Sequence, residues 1–144
     1  MPRKTLIAVA IATLAGIASV PASANDVFLD QFGFGNQAGG VQSGFGNVIG
    51  VYQNGIINGA VSEQYGNGNT AAIGQEGINN YGETFQNGNG NAAGVGQFGT
   101  DHNSIISQDG DGNVTAGVQV GHGCSAGVSQ TGAGNVAAFV QACP

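Results

Sequence analysis

QNGNGNAAGVGQ, residues 86–97, carries no charge and has four glycines in twelve positions. By composition it reads as a linker or a disordered tract. Its two glutamines, Gln86 and Gln97, stand eleven residues apart, however, and that interval runs through the chain. Glutamine occupies Gln31, Gln42, Gln53, Gln64, Gln75, Gln86, Gln97, Gln108, Gln119, Gln130 and Gln141 without a slip. Two residues after each of the first ten stands a glycine: Gly33, Gly44, Gly55, Gly66, Gly77, Gly88, Gly99, Gly110, Gly121 and Gly132. Five residues after those glutamines stands Asn36, Asn47, Asn58, Asn69, Asn80, Asn91, Asn113 or Asn135, with His102 and Cys124 in the two other turns. Asn25 holds the same slot ahead of Gln31.

A longer period lies over the short one. Every second turn reads Gln-x-Gly-x-Gly-Asn, beginning at residues 42, 64, 86, 108 and 130, and the turns between are looser, as in QNGIIN and QFGTDH. The repeating unit is therefore 22 residues, built from two similar halves. A repeat of this kind decides the fold before any local propensity does. An eleven-residue period also suits a right-handed helical coil, but a glycine-rich break in each period costs a helix about 1 kcal/mol per glycine relative to alanine. Between the breaks the pattern is Asn-x-Ala-x-apolar-x-Gln. It alternates with period two, as a strand with one inward face requires. The glycines supply the positive φ angles for a reversal within a few residues.

The expected architecture is all-β: a β-solenoid of 22-residue coils, with eleven strands in two stacked parallel sheets of six and five. The first sheet turns Val27 and Leu29, Ile49 and Val51, Ala71 and Ile73, Ala93 and Val95, Thr115 and Gly117, and Ala137 and Phe139 inward. The second offers Ala38 and Gly40, Ala60 and Ser62, Gly82 and Thr84, Ser104 and Ile106, and Ala126 and Val128. Large residues then face small ones, with Ile106 and Val128 expected to compensate Gly117. Stacked strands bring each Gln or Asn about 4.8 Å from its equivalent in the next coil. An amide is both donor and acceptor, so these columns form ladders that satisfy buried polar groups and hold register.

The ends and the charge bound the function. Residues 1–24 have Arg3 and Lys4, an apolar run from Leu6 to Val20, and Ala22-Ser23-Ala24. That is the order of a secretory signal peptide cleaved after Ala24, leaving 25–144 as the repeat domain. Those 120 residues hold no Lys or Arg and all eight acids: Asp26, Asp30, Glu63, Glu76, Glu83, Asp101, Asp109 and Asp111. A surface without cations is a poor match for nucleic acid or for anionic lipid. Cys124 and Cys143 in an exported chain point to a disulfide rather than a metal site, since their spacing with His102 and His122 fits no zinc pattern. The register sets Cys143 over Gly121, near Cys124, so a clasp on the last coil is expected, with an intermolecular bridge as the alternative. Asp109 and Asp111 resemble the start of a calcium loop, but the rest of such a loop is missing, and a solvated turn is the reading adopted. No catalytic constellation, cofactor or small-molecule substrate is expected, because the acids are dispersed. Phe32, Phe34, Phe45, Tyr52, Tyr65, Tyr81, Phe85 and Phe98 are expected in turns or on outward faces.

The spacing Gln-x-Gly-x-x-Asn-x-Ala-x-x-x-Gln, intact at residues 31–42, 86–97 and 130–141, resembles the curlin repeat of curli subunits. The resemblance covers essentially all of 25–144. It implies a non-enzymatic, amyloid-forming subunit, exported from bacteria through the periplasm and outer-membrane secretion machinery. Such a subunit polymerises with itself, alongside a companion curlin subunit, into extracellular fibres for adhesion and biofilm matrix. Two other readings are a minor curlin subunit that nucleates the fibre and a monomeric ligand- or ice-binding solenoid.

Overall fold

The computed structural model describes residues 25–144; the signal peptide expected over 1–24 lies outside the described residues. Eleven strands follow one another: β1 (Asp26–Phe34), β2 (Gln37–Ser43), β3 (Val48–Ile56), β4 (Gly59–Tyr65), β5 (Thr70–Ile78), β6 (Tyr81–Asn87), β7 (Ala92–Thr100), β8 (Asn103–Asp109), β9 (Val114–His122), β10 (Ser125–Thr131) and β11 (Val136–Cys143). The odd-numbered strands form one six-stranded sheet and the even-numbered strands a five-stranded one, each in chain order. This is the β-solenoid of 22-residue coils that the repeat implies. Every pairing is parallel, and every partner lies 22 residues away: Gln31 against Gln53, Gln42 against Gln64, Gln119 against Gln141.

The interior is thin and mostly polar. Ile49, Val51, Ala60, Ala71, Ile73, Ala93, Val95 and Ile106 form one apolar cluster, flanked by Ala38, Val128 and Phe139. Among the described residues nineteen buried side chains are polar or charged and nine are apolar. Hydrogen bonding, not apolar area alone, must therefore hold the coils together. Val27 and Leu29 point inward as expected but stay 49 % and 46 % exposed, because no coil lies beyond β1 among the described residues.

Volume is matched between neighbours. Gly82 sits against Ile73, and Gly40 against Ile49, where a Cβ would crowd the isoleucine methyls. The space beside Gly117 is taken by the ring of Phe139 from the adjacent strand, and not by Ile106 or Val128 as expected. In the inner column of the second sheet the Thr84 hydroxyl donates to Ser62 Oγ at 2.8 Å. Ser104 Oγ has no partner, since its column neighbours are Gly82 and Ala126.

Candidate functional site: amide columns and coil ends

The glutamines stand in two columns inside the coil. Gln31, Gln53, Gln75, Gln97, Gln119 and Gln141 line the first sheet, and Gln42, Gln64, Gln86, Gln108 and Gln130 the second. Each Nε2 from Gln31 to Gln119 donates one proton to Oε1 of the glutamine 22 residues later, at 2.6–2.9 Å. From Gln42 onward the other proton goes to a backbone carbonyl sixteen residues earlier on the opposite sheet, at 2.8–3.2 Å. One side chain therefore joins both sheets and two coils. Gln53, Gln64, Gln75, Gln86, Gln97, Gln108 and Gln119 are fully buried, so each bond replaces a desolvation cost of about 1–3 kcal/mol. All the amide-to-amide bonds run in one direction, which leaves Oε1 of Gln31 and Gln42 open at one end of the stack.

The asparagines bond differently from the glutamines. Each Oδ1 accepts the backbone N–H of the residue 22 positions on, at 2.9–3.1 Å. Each Nδ2 donates to the carbonyl of the turn glycine 19 positions on, from Asn25 to Gly44 through Asn113 to Gly132, at 2.7–3.2 Å. Within these columns direct Asn–Asn amide bonds join only 36 to 58, 58 to 80 and 113 to 135 among the described residues. The shorter side chain reaches backbone where glutamine reaches its twin. His102 performs the asparagine role with an imidazole: Nδ1 accepts from Cys124 N–H at 3.1 Å and Nε2 lies 3.2 Å from the Phe98 carbonyl. That pair of contacts requires the neutral ring with its proton on Nε2.

The turn glycines are fixed twice over. All ten have φ between +103° and +136°. In nine of them an added Cβ would also strike a carbonyl of the next coil, as Gly66 would strike Gly88. Gly33, Gly55, Gly77, Gly99 and Gly121 continue the first sheet's ladder, whereas Gly44, Gly66, Gly88, Gly110 and Gly132 lie in the turns proper. A further left-handed position, four residues after each of the first ten glutamines, belongs to the same device. It is glycine in seven turns but Ile57 (φ 56°), Asn79 (58°) and Asp101 (58°) in the others. The strict Gln-x-Gly-x-Gly-Asn turns carry its signature; the looser ones conceal it.

The DGDGN acids belong to a second, exposed ladder. Asn67, Asn89 and Asp111 accept through Oδ1 from the backbone N–H groups of Phe45, Asn67 and Asn89, at 2.7–3.1 Å. The Asp109 carboxylate accepts from Asn87 Nδ2 at 3.0 Å. No group of three or more His, Cys, Asp or Glu side chains converges among the described residues. His122 Nδ1 lies 2.6 Å from Thr100 Oγ1 and 3.5 Å from Asp101 Oδ2, exposed at the end of β9 and not in a turn. On the second sheet's outer face the Tyr81 hydroxyl donates to Glu83 at 2.9 Å. Burial, then that bond and the charge of Glu83, hold its pKa above the ordinary 10.0.

Cys124, buried in an asparagine slot, is bonded to Cys143 of the last strand. The aromatics Phe32, Phe34, Phe45, Tyr52, Tyr65, Tyr81 and Phe98 are 36–75 % exposed. Phe85 is half-buried beside Tyr65, with ring centres 5.9 Å apart. The coil ends complete the site. β1 and β2 at one end, and β10 and β11 at the other, pair on one side only.

Comparison with known proteins agrees with this geometry. No curated protein matches the chain. The family model described as the curlin associated repeat matches residues 77–110, a stretch that spans the end of β5, all of β6 and β7, and β8. The pairing register and the amide columns in that stretch continue without change through the rest of the solenoid. The match over residues 77–110 supports a place for the chain in the curlin family.

Proposed function

We propose that the chain is the secreted structural subunit of a curli-like extracellular fibre and that it assembles end to end with copies of itself. The observation that carries this reading is the pair of unfinished coil ends. Strand edges with unpaired N–H and C=O groups template further strands, and solenoids that stay monomeric cover them. Among the described residues nothing covers β1, β2, β10 or β11.

The ends are also complementary in polarity. The amide columns present acceptors at Gln31 and Gln42, and spare donor protons at Gln130 and Gln141. Stacking in the same direction therefore continues each column, whereas reversal would set acceptor against acceptor. Adhesion and a biofilm matrix, export through an outer-membrane apparatus and a companion subunit are part of the proposal and rest on the resemblance to curli subunits rather than on this geometry.

The test is dilution of residues 25–144 from denaturant into buffer, followed by electron microscopy and by seeding with preformed material. Filaments whose fragments abolish the lag are expected. A β-rich monomer that persists in solution would overturn self-assembly while leaving the solenoid intact.

A further inference from the structure

The two outer faces of the solenoid differ. On the second sheet the outward side chains include Glu63, Glu83 and Asp109, with polar residues such as Ser107 and Ser129 between them. On the first sheet the acids are confined to Asp26, Asp30 and Glu76, on β1 and β5. The outward residues of β7, β9 and β11 carry no charge at all. Val136 and Val140 there are 78 % and 80 % exposed. Beside them Gly94, Gly96, Ala116 and Ala138 line a shallow depression. The other half of the same face projects Phe28, Phe32 and Tyr52.

We propose that this face is a self-association surface, on which a second copy of the chain packs face to face with its coil order reversed. Charge selects the occupant and the orientation. Residues 25–144 hold eight acids and no Lys or Arg, so two copies repel wherever their acidic regions meet. The charge-free half of the first sheet is the surface that a like-charged neighbour can approach. Reversed coil order sets β1 against β11, β3 against β9 and β5 against β7.

No acid then faces an acid across the contact: Asp26 and Asp30 fall at its wet rim, and Glu76, near the end of β5, lies opposite Phe98 of the second copy. Shape agrees with charge. In that arrangement Phe28 lies opposite Ala138, Phe32 opposite Ala142, and Tyr52 opposite Val118. Large side chains on one copy thus meet small ones on the other, in both directions, as an isologous interface requires. Six strands about 4.8 Å apart and about 25 Å long give a face of roughly 700 Å² per copy. The pair would bury about 1,400 Å², within the range of stable interfaces. The contact is separate from end-to-end stacking and would join two filaments side by side.

The test compares residues 25–144 with Val118→Glu, which charges the centre of the face, with Tyr52→Ala, which removes a projecting ring, and with Ser129→Glu on the opposite face. Filament mass per unit length is read by scanning transmission electron microscopy, and sedimentation velocity is run on freshly diluted protein. The expected result is a twofold drop in mass per length for Val118→Glu, a mixture of paired and single filaments for Tyr52→Ala, and no change for Ser129→Glu. Unpaired wild-type filaments, or paired filaments in the Val118→Glu and Tyr52→Ala variants, would overturn the proposal while leaving end-to-end assembly standing. If no filaments form, end-to-end assembly fails and sedimentation decides: a dimer lost in Val118→Glu supports the contact, and a monomer overturns it. A monomer that floats with phosphatidylcholine vesicles would reassign the face to lipid.

Discussion

Replacing Gln86 with alanine removes one rung from the middle of the second column. Its Nε2 donates to Gln108 Oε1 at 2.8 Å and to the Thr70 carbonyl at 3.1 Å, and its Oε1 accepts from Gln64 at 2.8 Å. The residue is fully buried, so water cannot substitute without opening the coil. Alanine strands a proton of Gln64, the Oε1 of Gln108 and one lone pair of Thr70, at about 1–3 kcal/mol for each group left unpaired. Relaxation recovers part of that, and a net loss of about 3–5 kcal/mol is expected, a large share of the ~5–15 kcal/mol that holds a typical domain. Gln37, exposed on the second sheet's outer face, should change stability by less than about 0.5 kcal/mol when replaced by alanine. Urea unfolding of both variants, before any filament grows, measures the difference. Equal midpoints for Gln86→Ala and Gln37→Ala would refute the ladder as the source of stability.

Four more outcomes follow from the same geometry. Gly66→Ala, at φ +117° with the Gly88 carbonyl where the methyl would go, should cost about 3 kcal/mol or more, while Gly68→Ala, at φ +66° in open space, should cost about 1 kcal/mol; urea midpoints compare the two. Ile57→Asn relieves a β-branched residue of its left-handed conformation and should gain about 1 kcal/mol, a rise in Tm of about 4 °C. Ser104→Ala deletes a buried hydroxyl that has no partner and should stabilise the fold by up to about 1 kcal/mol, again by thermal melting. Reducing Cys124–Cys143, which closes a sequence separation of 19, should lower stability by about 3 kcal/mol, seen as a shifted urea midpoint with and without reductant.

The fold was legible because its period is set by few residue types. Gln31 to Gln141 at an interval of eleven, with Gly33 to Gly132 behind them, place every strand and assign it to a sheet. What stayed hidden depends on side-chain reach and on backbone angles. Asn47 and Gln53 look interchangeable as amides in a column. Yet one methylene fewer turns asparagine toward the Gly66 carbonyl and the N–H of Asn69, while glutamine meets its own kind. Ile57, Asn79 and Asp101 share a left-handed position that composition conceals, because glycine holds it elsewhere. His102 breaks the asparagine pattern in letters but keeps its acceptor contact with the N–H 22 positions on, while its other ring nitrogen meets the Phe98 carbonyl instead of a turn glycine. Phe139 fills the void at Gly117 from the adjacent strand, and a pattern of alternating faces does not say from which direction a void is filled.

X-ray diffraction from aligned filaments of residues 25–144 tests most directly whether coils stack along the fibre through these columns. Coils that continue from copy to copy predict a sharp meridional reflection near 4.8 Å and an equatorial one near 10 Å. Filaments without the meridional 4.8 Å reflection would contradict the account, because the strands would then not be stacked along the axis on which the glutamines meet.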